Sequence, residues 1–395
     1  MNPLPDTLCH LNGLTLPLCN AQVSVLDRGF IFGDGIYEVV PVYGRRLFRF
    51  DEHMTRLSRG LAKLRIANPH SREAWLGLVR ELVAAQPADD QLVYLQLTRG
   101  VAPRDHVMPE GVTPTVFGMT SVMKPPSAEM RHQGVACVTA RDFRWERGDI
   151  KSTSLLGNVL ARQISADQGA TETIMFRDGW LTEAAASNVW VVHEGALLGP
   201  PKSEHVLEGI RFDLLAELCR EVGIAYNLRP IAEADVRAAD ELLLSSATKE
   251  ILPVTRLDSQ AVGHGALRGK PGPVYARLFE AYQRAKAEQC ILPTPAEIAM
   301  IEQELSPVPP EHSLIDYPCA FPIKVMGAQV EGFVEAMVQV ARQFDAGFDP
   351  ATIEHRPSSG GRYLGLTLTV QATSREQLDE LYRTLSSHPM VKVVL

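Results

Sequence analysis

The sequence predicts a mixed protein, α/β and α+β in class, made of three folded parts and one connector. Three observations carry that expectation. β-branched and aromatic runs alternate with segments whose apolar residues recur every three or four positions. A middle region carries tight-turn dipeptides between short strands. A cluster of prolines then precedes a tail whose elements read βαββαβ. Residues 1–120 are therefore expected to form an N-terminal α/β domain and residues 121–285 a mostly β domain. A Pro-rich linker with a short helix is expected over 286–312, and a separate small domain over 313–395.

In the first part, IYEVVPVYG and LVYLQLTRG read as strands that end at Gly44 and Gly100. Between them, DEHMTRLSRGLAKLRI places Met54, Leu57, Leu61 and Leu64 at helical spacing, and REAWLGLVRELVA repeats the pattern with Trp75, Leu78, Val79 and Leu82. In the second part, Asp178-Gly179 is a strong two-residue hairpin signal and Glu194-Gly195 a weaker one. Helices are expected in SLLGNVLARQISADQG, GIRFDLLAELCREVG and VYARLFEAYQRAKAEQ. In the connector, Thr294-Pro295-Ala296-Glu297 has the form of a capping box, opening a short helix through Leu305 that Pro307 ends. In the tail, FPIKVMG reads as a strand, and EGFVEAMVQVARQF as a helix with Val334, Met337, Val338, Ala341 and Phe344 on one face. TIEHRPS and YLGLTLTVQ follow as strands around the turn Ser358-Ser359-Gly360-Gly361, with Leu364, Leu366, Leu368 and Val370 sharing a face. A helix capped by Ser374 and Gln377 and a last strand, MVKVVL, complete a ferredoxin-like order.

The chain has 395 residues, 45% hydrophobic and 22% charged, which excludes wholesale disorder and a single small domain. Its net charge of −8 argues against nucleic acid as a partner, because a phosphate backbone needs a basic stripe. No apolar run approaches the ~20 residues needed to span a bilayer. The first residues, MNPLPDTLCHLNG, have no basic or apolar leader segment, so a cytoplasmic location is expected. The six cysteines are scattered without a CxxC pair, which leaves no disulfide framework or zinc site and no expected metal.

Taken singly, the candidate functional residues are weak. Lys151 sits at a strand-to-helix junction, where most lysines are solvated, and Glu183 sits at a strand end before a run of small residues. Gly209-Ile210-Arg211 opens a helix and offers unpaired N–H groups to an anion. Arg104 and His106 lie on a Pro-bounded loop, and His53 and Arg56 share a helix as either a packed pair or an anion contact. No HExxH, Ser-His-Asp order, Walker loop or GxGxxG after a strand is found, so protease, hydrolase and nucleotide-loop readings have no basis.

Order and spacing change this. DRGFIFGDGIYEVVPVYG, FDEHMTRL, TRGVAPRDH, DIKSTSLLGNVLARQ, LTEAAASNVWVV, LEGI and LSSATKEILPV follow one another over roughly residues 8–285. In this order they resemble the two-domain fold-type IV pyridoxal-phosphate enzymes, and most closely the D-amino acid aminotransferases. The tail resembles the YbeD-like domain of unknown function, through FPIKVMG, RPSSGGRY and VKVVL.

The resemblance implies pyridoxal 5′-phosphate as cofactor, with Lys151 forming the Schiff base and Glu183 facing the pyridine nitrogen. It implies Arg56 on the phosphate, with the backbone N–H groups of Ile210, Arg211 and the Ser246-Ala247 turn around the same group. Tyr37, Arg104 and His106 match the substrate-carboxylate trap, the last two reaching in from the neighbouring subunit of a homodimer. The implied reaction is transamination between a D-amino acid, such as D-alanine, and a 2-oxo acid, such as 2-oxoglutarate, ping-pong through a pyridoxamine form. Two departures stand out: Arg211 and Ala247 replace threonines of the relatives, and Ala184, Ala185 and Ala186 replace a more polar run. The alternatives are a branched-chain L-aminotransferase, an aminodeoxychorismate lyase, or a non-catalytic cofactor-binding regulatory protein. For the tail, the expectation is either a passenger unit or a module that binds a small ligand or protein partner.

Overall fold

The computed structural model of the protein describes residues 7–291, 317–330, 332–357 and 363–394. The chain divides into two compact units, Met1–Ala296 and Glu297–Leu395.

The first unit contains two sheets. Among the described residues, one has seven strands in the order Cys290–Ile291, Arg46–Phe48, Gly35–Tyr43, Gln91–Thr98, Thr115–Val122, Leu8–Leu11 and Leu14–Pro17. Its pairings are antiparallel, and Gly35–Tyr43 runs beside Gln91–Thr98 from Gly35 opposite Thr98 to Val42 opposite Gln91. The helices Phe50–Lys63 and Arg72–Ala85 bury Leu57, Leu61, Trp75, Val79 and Leu82 against Ile36, Val40, Val93 and Leu95, the faces their spacing predicts.

The other sheet has nine strands among the described residues. Its middle follows the order Asn188–His193, Glu241–Ser246, Glu250–Leu257, Val135–Arg141, Glu172–Arg177 and Trp180–Ala184. Both faces are covered. Val189, Val191, Leu242 and Leu244 point into one apolar cluster, while Trp190, Val192 and Leu243 point into the other, which the helices Ile210–Glu221 and Pro273–Glu288 share with Tyr43 and Phe48 of the first sheet. This double burial explains the unbroken apolar runs in these strands. The hairpins at Asp178-Gly179 and Glu194-Gly195 both form with positive φ at each central residue, so the weaker signal makes the same kind of turn.

In the second unit, strands Glu354–Pro357, Tyr363–Ala372, Cys319–Ala328 and Val391–Val394 form one antiparallel sheet in that order. The helices Phe333–Phe344 and Arg375–Ser387 bury Met337, Ala341, Leu381 and Leu385 against Ile323, Val325, Leu366, Leu368 and Val370. The element order is the expected βαββαβ.

Several expectations are corrected in detail. The connector begins later than residue 286: the helix continues to Glu288, and Cys290–Ile291 returns to pair with Phe48 and Leu47 at the edge of the first sheet. The boundary at residue 120 falls inside the strand Thr115–Val122. Phe333 and Val340, rather than Val334 and Val338, are fully buried in the tail's first helix. Gly327 leaves room for the Phe333 ring, which a Cβ there would meet at 2.4 Å. Ser374 caps the last helix as expected, but Gln377 reaches back to the N–H of Thr373 instead of Ser374. The short helix through Leu305 and the turn at 358–361 lie outside the described residues. Among the described residues no helix is long and apolar enough to cross a membrane, and no group of residues could hold a metal ion.

Leu368→Ala removes a fully buried side chain from the centre of the small sheet and should cost the second unit about 2–5 kcal/mol. Faster amide exchange along 319–328 and 363–372 would report the loss. Unchanged protection would show that this face is not the core.

Candidate active site

A cavity of about 540 Å3 in the first unit gathers side chains from both sheets. Tyr37, Arg56, Lys151, Glu183, Ile210, Arg211, Ser246 and Ala247 line it. Arg104 and His106 do not. They occupy an exposed loop, where the guanidinium and the imidazole each lie 5.4 Å from the Phe32 ring centre. That loop is anchored: Arg28 donates to the carbonyl of Asp105 at 2.6 Å and pairs with Asp34, which Arg99 also holds.

Lys151 lies in the connection between the strand Val135–Arg141 and the helix Leu156–Asp167. Backbone bonds fasten this connection to the first sheet: Tyr37 N–H donates to Lys151 O at 2.9 Å and Thr153 N–H to Gly35 O at 3.0 Å, with Ser152 bridged to Ile36. The lysine's Nζ lies 4.0 Å from the centre of the Tyr37 ring, which stacks on Tyr94. Gly35 permits the close approach of its neighbour strand, since a Cβ there would meet Leu97 O at 2.4 Å.

Glu183 is buried near the end of the strand Trp180–Ala184. Its carboxylate accepts from Arg144 Nη1 at 2.5 Å, from Asn188 Nδ2 at 3.1 Å and from Leu207 N–H at 3.2 Å. Burial nonetheless pushes its pKa up to about 7, against the pull of Arg144. The negative charge of nearby Asp142 adds to the rise, and Arg144 also donates to Asp142 through Nε and Nη2 at 3.0 and 2.8 Å. Arg144, Asp142 and Asn188 were not found by sequence reasoning. Arg144 in RDFRWE carries no spacing signal, and only the fold brings it to Glu183.

Two residues beyond Leu207, Gly209 caps the helix Ile210–Glu221 without any side-chain bond to its first turn, and Gly209, Ile210 and Arg211 line the cavity. Arg56 does not stand free beside them. Its Nε and Nη2 each donate to the buried Glu38 at 2.7 Å, and His53 Nδ1 lies 2.9 Å from the same carboxylate. Burial opposes ionisation of Glu38, yet Arg56 and His53 hold its carboxyl well below the usual range. Burial keeps the pKa of His53 down to about 4 despite Glu38, and its Nε2 has no partner. Of the residues carried over for the phosphate, Arg211 contributes backbone to this wall. Its side chain turns into the core, donating to Tyr282 OH at 2.8 Å.

The residues present fit pyridoxal 5′-phosphate. An amine and a buried carboxylate share a cavity whose size suits a small-molecule cofactor. An uncapped helix end offers N–H groups to a phosphate, and the buried Nε2 of His53, which also lines the cavity, lacks a partner among the described residues. The small side chains Ala184, Ala185 and Ala186 leave the wall beside Glu183 flat.

Arg144→Met should raise the pKa of Glu183 further above about 7, because the remaining cationic partner is removed while burial persists. Carboxyl-labelled NMR titration of the cofactor-free protein would read the shift. A downward move or none would show that Arg144 does not hold this carboxylate.

The sequence over residues 35–257 matches the model for amino-transferase class IV, and residues 312–395 match a protein family of unknown function, DUF493. The D-alanine aminotransferase of Bacillus licheniformis is 37% identical over 274 residues, 69% of this chain and 95% of that protein. The D-alanine aminotransferase of Listeria monocytogenes is 36% identical over 274 residues, 69% of this chain and 93% of its own length. Among solved structures, the branched-chain amino acid aminotransferase of Escherichia coli superposes with a TM-score of 0.67 at 22% identity, covering 74% of this chain and 98% of that one. That likeness extends the fold-type IV architecture to this chain. With its lysine, its buried carboxylate and its anion-ready helix end in one cavity, the chain belongs to the class IV aminotransferases.

Proposed function

We propose that this protein is a D-amino acid transaminase that moves an amino group from a D-amino acid to a 2-oxo acid with pyridoxal 5′-phosphate. The observation that carries the reading is the convergence of Lys151, Glu183 and the start of the helix Ile210–Glu221 in one cavity. The D-alanine aminotransferases at 37% and 36% identity support the choice of D-amino acids.

When bound, the cofactor supplies the electron sink that lets an α-carbanion form. The chain's own residues do the rest. Lys151 Nζ, beside the Tyr37 ring, takes the proton from the substrate's α-carbon and delivers it again on the same face. Glu183, raised by burial to about 7, gains from any cationic N–H placed against it and so holds a proton on the ring nitrogen. The N–H groups of Ile210 and Arg211 and those of the Ser246-Ala247 turn bind the phosphate, with Arg56 fixed beside them by Glu38.

The trap for the substrate carboxylate combines Tyr37 with Arg104 and His106 from the other subunit of a homodimer. Exposure of that loop, together with its anchoring by Arg28, supports delivery to a second copy. An Arg fork that pins the carboxylate leaves one enantiomer with its α-hydrogen facing Lys151. We place the enzyme in the cytoplasm, in keeping with six free thiols and no paired cysteine. For the second unit we propose a small ligand or a protein partner, on architecture alone. Unchanged kinetics and oligomeric state after deletion of residues 306–395 would remove that part.

Purified protein supplied with the cofactor should absorb in the near-visible range and bleach with D-alanine but not with L-leucine. Lys151→Ala should not bleach with any donor. A colourless wild-type protein, or a borohydride-trapped adduct on another lysine, ends the reading. A coloured protein that answers no donor favours a non-catalytic role. Arg104→Lys keeps the charge but loses the fork, so kcat/KM for D-alanine should fall about tenfold to a hundredfold with cofactor affinity unchanged. Full activity in that variant would refute the trap.

A further inference from the structure

Arg211 is 2% exposed, and among the described residues it has no carboxylate partner. Its guanidinium lies 5.4 Å from the Phe48 ring centre and 5.7 Å from that of Tyr282; Nη2 donates to Tyr282 OH, and Nε has no partner among the described residues. An arginine cannot shed its proton to escape burial, and an ionised group out of water needs a counter-charge. Glu250, the acid whose field reaches Tyr282 and Tyr43 as that of Arg211 does, is already held by Lys286 at 2.7 Å and by Arg131 at 2.9 Å.

The charges along this wall of the cavity sum simply. Arg56 is cancelled by Glu38 through two bonds of 2.7 Å. His53 is neutral, since burial keeps its pKa down to about 4. Ser246 Oγ already accepts from Lys249 N–H, and Ala247 has no hydroxyl to offer. Among the described residues beside this helix start, Arg211 keeps an unbalanced positive charge, and its own backbone opens the helix that lines the cavity. A phosphate monoester brings roughly −1.5 to −2, more than uncharged N–H groups and a neutralised arginine can balance.

We propose that Arg211 is the unbalanced cation of the phosphate cup, a positioning residue that acts from behind the helix start and offsets phosphate charge through the low-dielectric core. The inference rests on the reading of the cavity as a pyridoxal 5′-phosphate site. It separates phosphate from the rest of the cofactor, because the phosphate is the strongly anionic group expected at this helix start.

The test uses the full-length protein and its Arg211→Met and Arg211→Lys variants, each stripped of cofactor. Affinities for pyridoxal 5′-phosphate, inorganic phosphate and unphosphorylated pyridoxal are measured by calorimetry at low salt. Arg211→Met should weaken both phosphate-bearing ligands by about tenfold to a hundredfold and leave pyridoxal unchanged, while Arg211→Lys should restore most of the loss. The melting temperature of the stripped protein gives an independent sign. Removal of an uncompensated buried charge should raise it in Arg211→Met, whereas the phosphate-loaded form should melt lower than wild type. Equal losses for pyridoxal and its phosphate, unchanged phosphate affinity, or a stripped variant that melts lower or fails to fold would each overturn the proposal, because all of these make Arg211 a packing residue or an idle one. Wild-type protein that binds neither phosphate ligand would overturn the reading of the cavity as well. Wild type that binds both, with a Met variant that binds them equally, would overturn this inference alone.

Discussion

The site depends on a short backbone seam. Residues 151–153 are laced to the strand Gly35–Tyr43 by the bonds of Tyr37 to Lys151 and of Thr153 to Gly35. Without that seam, Lys151 would hang from a loop of the second sheet, and its amine would have no fixed relation to Tyr37 on the first sheet or to His53 and Arg56 on the helix Phe50–Lys63. Main-chain bonds suit this task because they do not depend on rotamers, and beside them Gly33 passes close to Ser154, where a Cβ would meet its Oγ at 2.6 Å. A lysine fixed in this way enters the cavity with little freedom left to lose.

Two buried glutamates show how the same side chain is given opposite character. Glu38 has Arg56 to itself and His53 besides, so it stays ionised although fully enclosed. Glu183 shares Arg144 with Asp142 and ends near neutrality. The difference lies in the direct partners: Glu38 takes two guanidinium bonds from Arg56 and has His53 besides, whereas Glu183 takes one from an Arg144 that also binds Asp142. Glu38 is thereby kept charged by its neighbours, while Glu183 is raised by burial to about 7.

Much of this was legible before any coordinates. Apolar spacing placed Leu57, Leu61, Trp75 and Leu82 on the correct helix faces, and the tight-turn dipeptides placed both hairpins. Lys151, Glu183, Ile210 and Ser246 share one cavity although they are far apart in sequence, because each sits in a motif whose local geometry is strongly constrained. The rest depended on partners that no local pattern marks. Arg144 reaches Glu183 across the sheet, Glu38 occupies Arg56, and Phe333 is drawn inward by the space at Gly327, which a helical repeat cannot register. The return of Cys290–Ile291 to the first sheet was hidden for the same reason, since two residues make no pattern.

The contact at Gly209 has a wider consequence. A Cβ at that position would lie 2.2 Å from Asn188 Oδ1, and the amide of Asn188 also donates to Glu183 and to the carbonyl of Leu207. A single amide thus stands between the two ends of the cavity, about as stiff a linkage as side chains provide. Substitutions at 209 and at 183 should therefore show epistasis, and libraries that vary one end while holding the other constant will undersample the sequences that work.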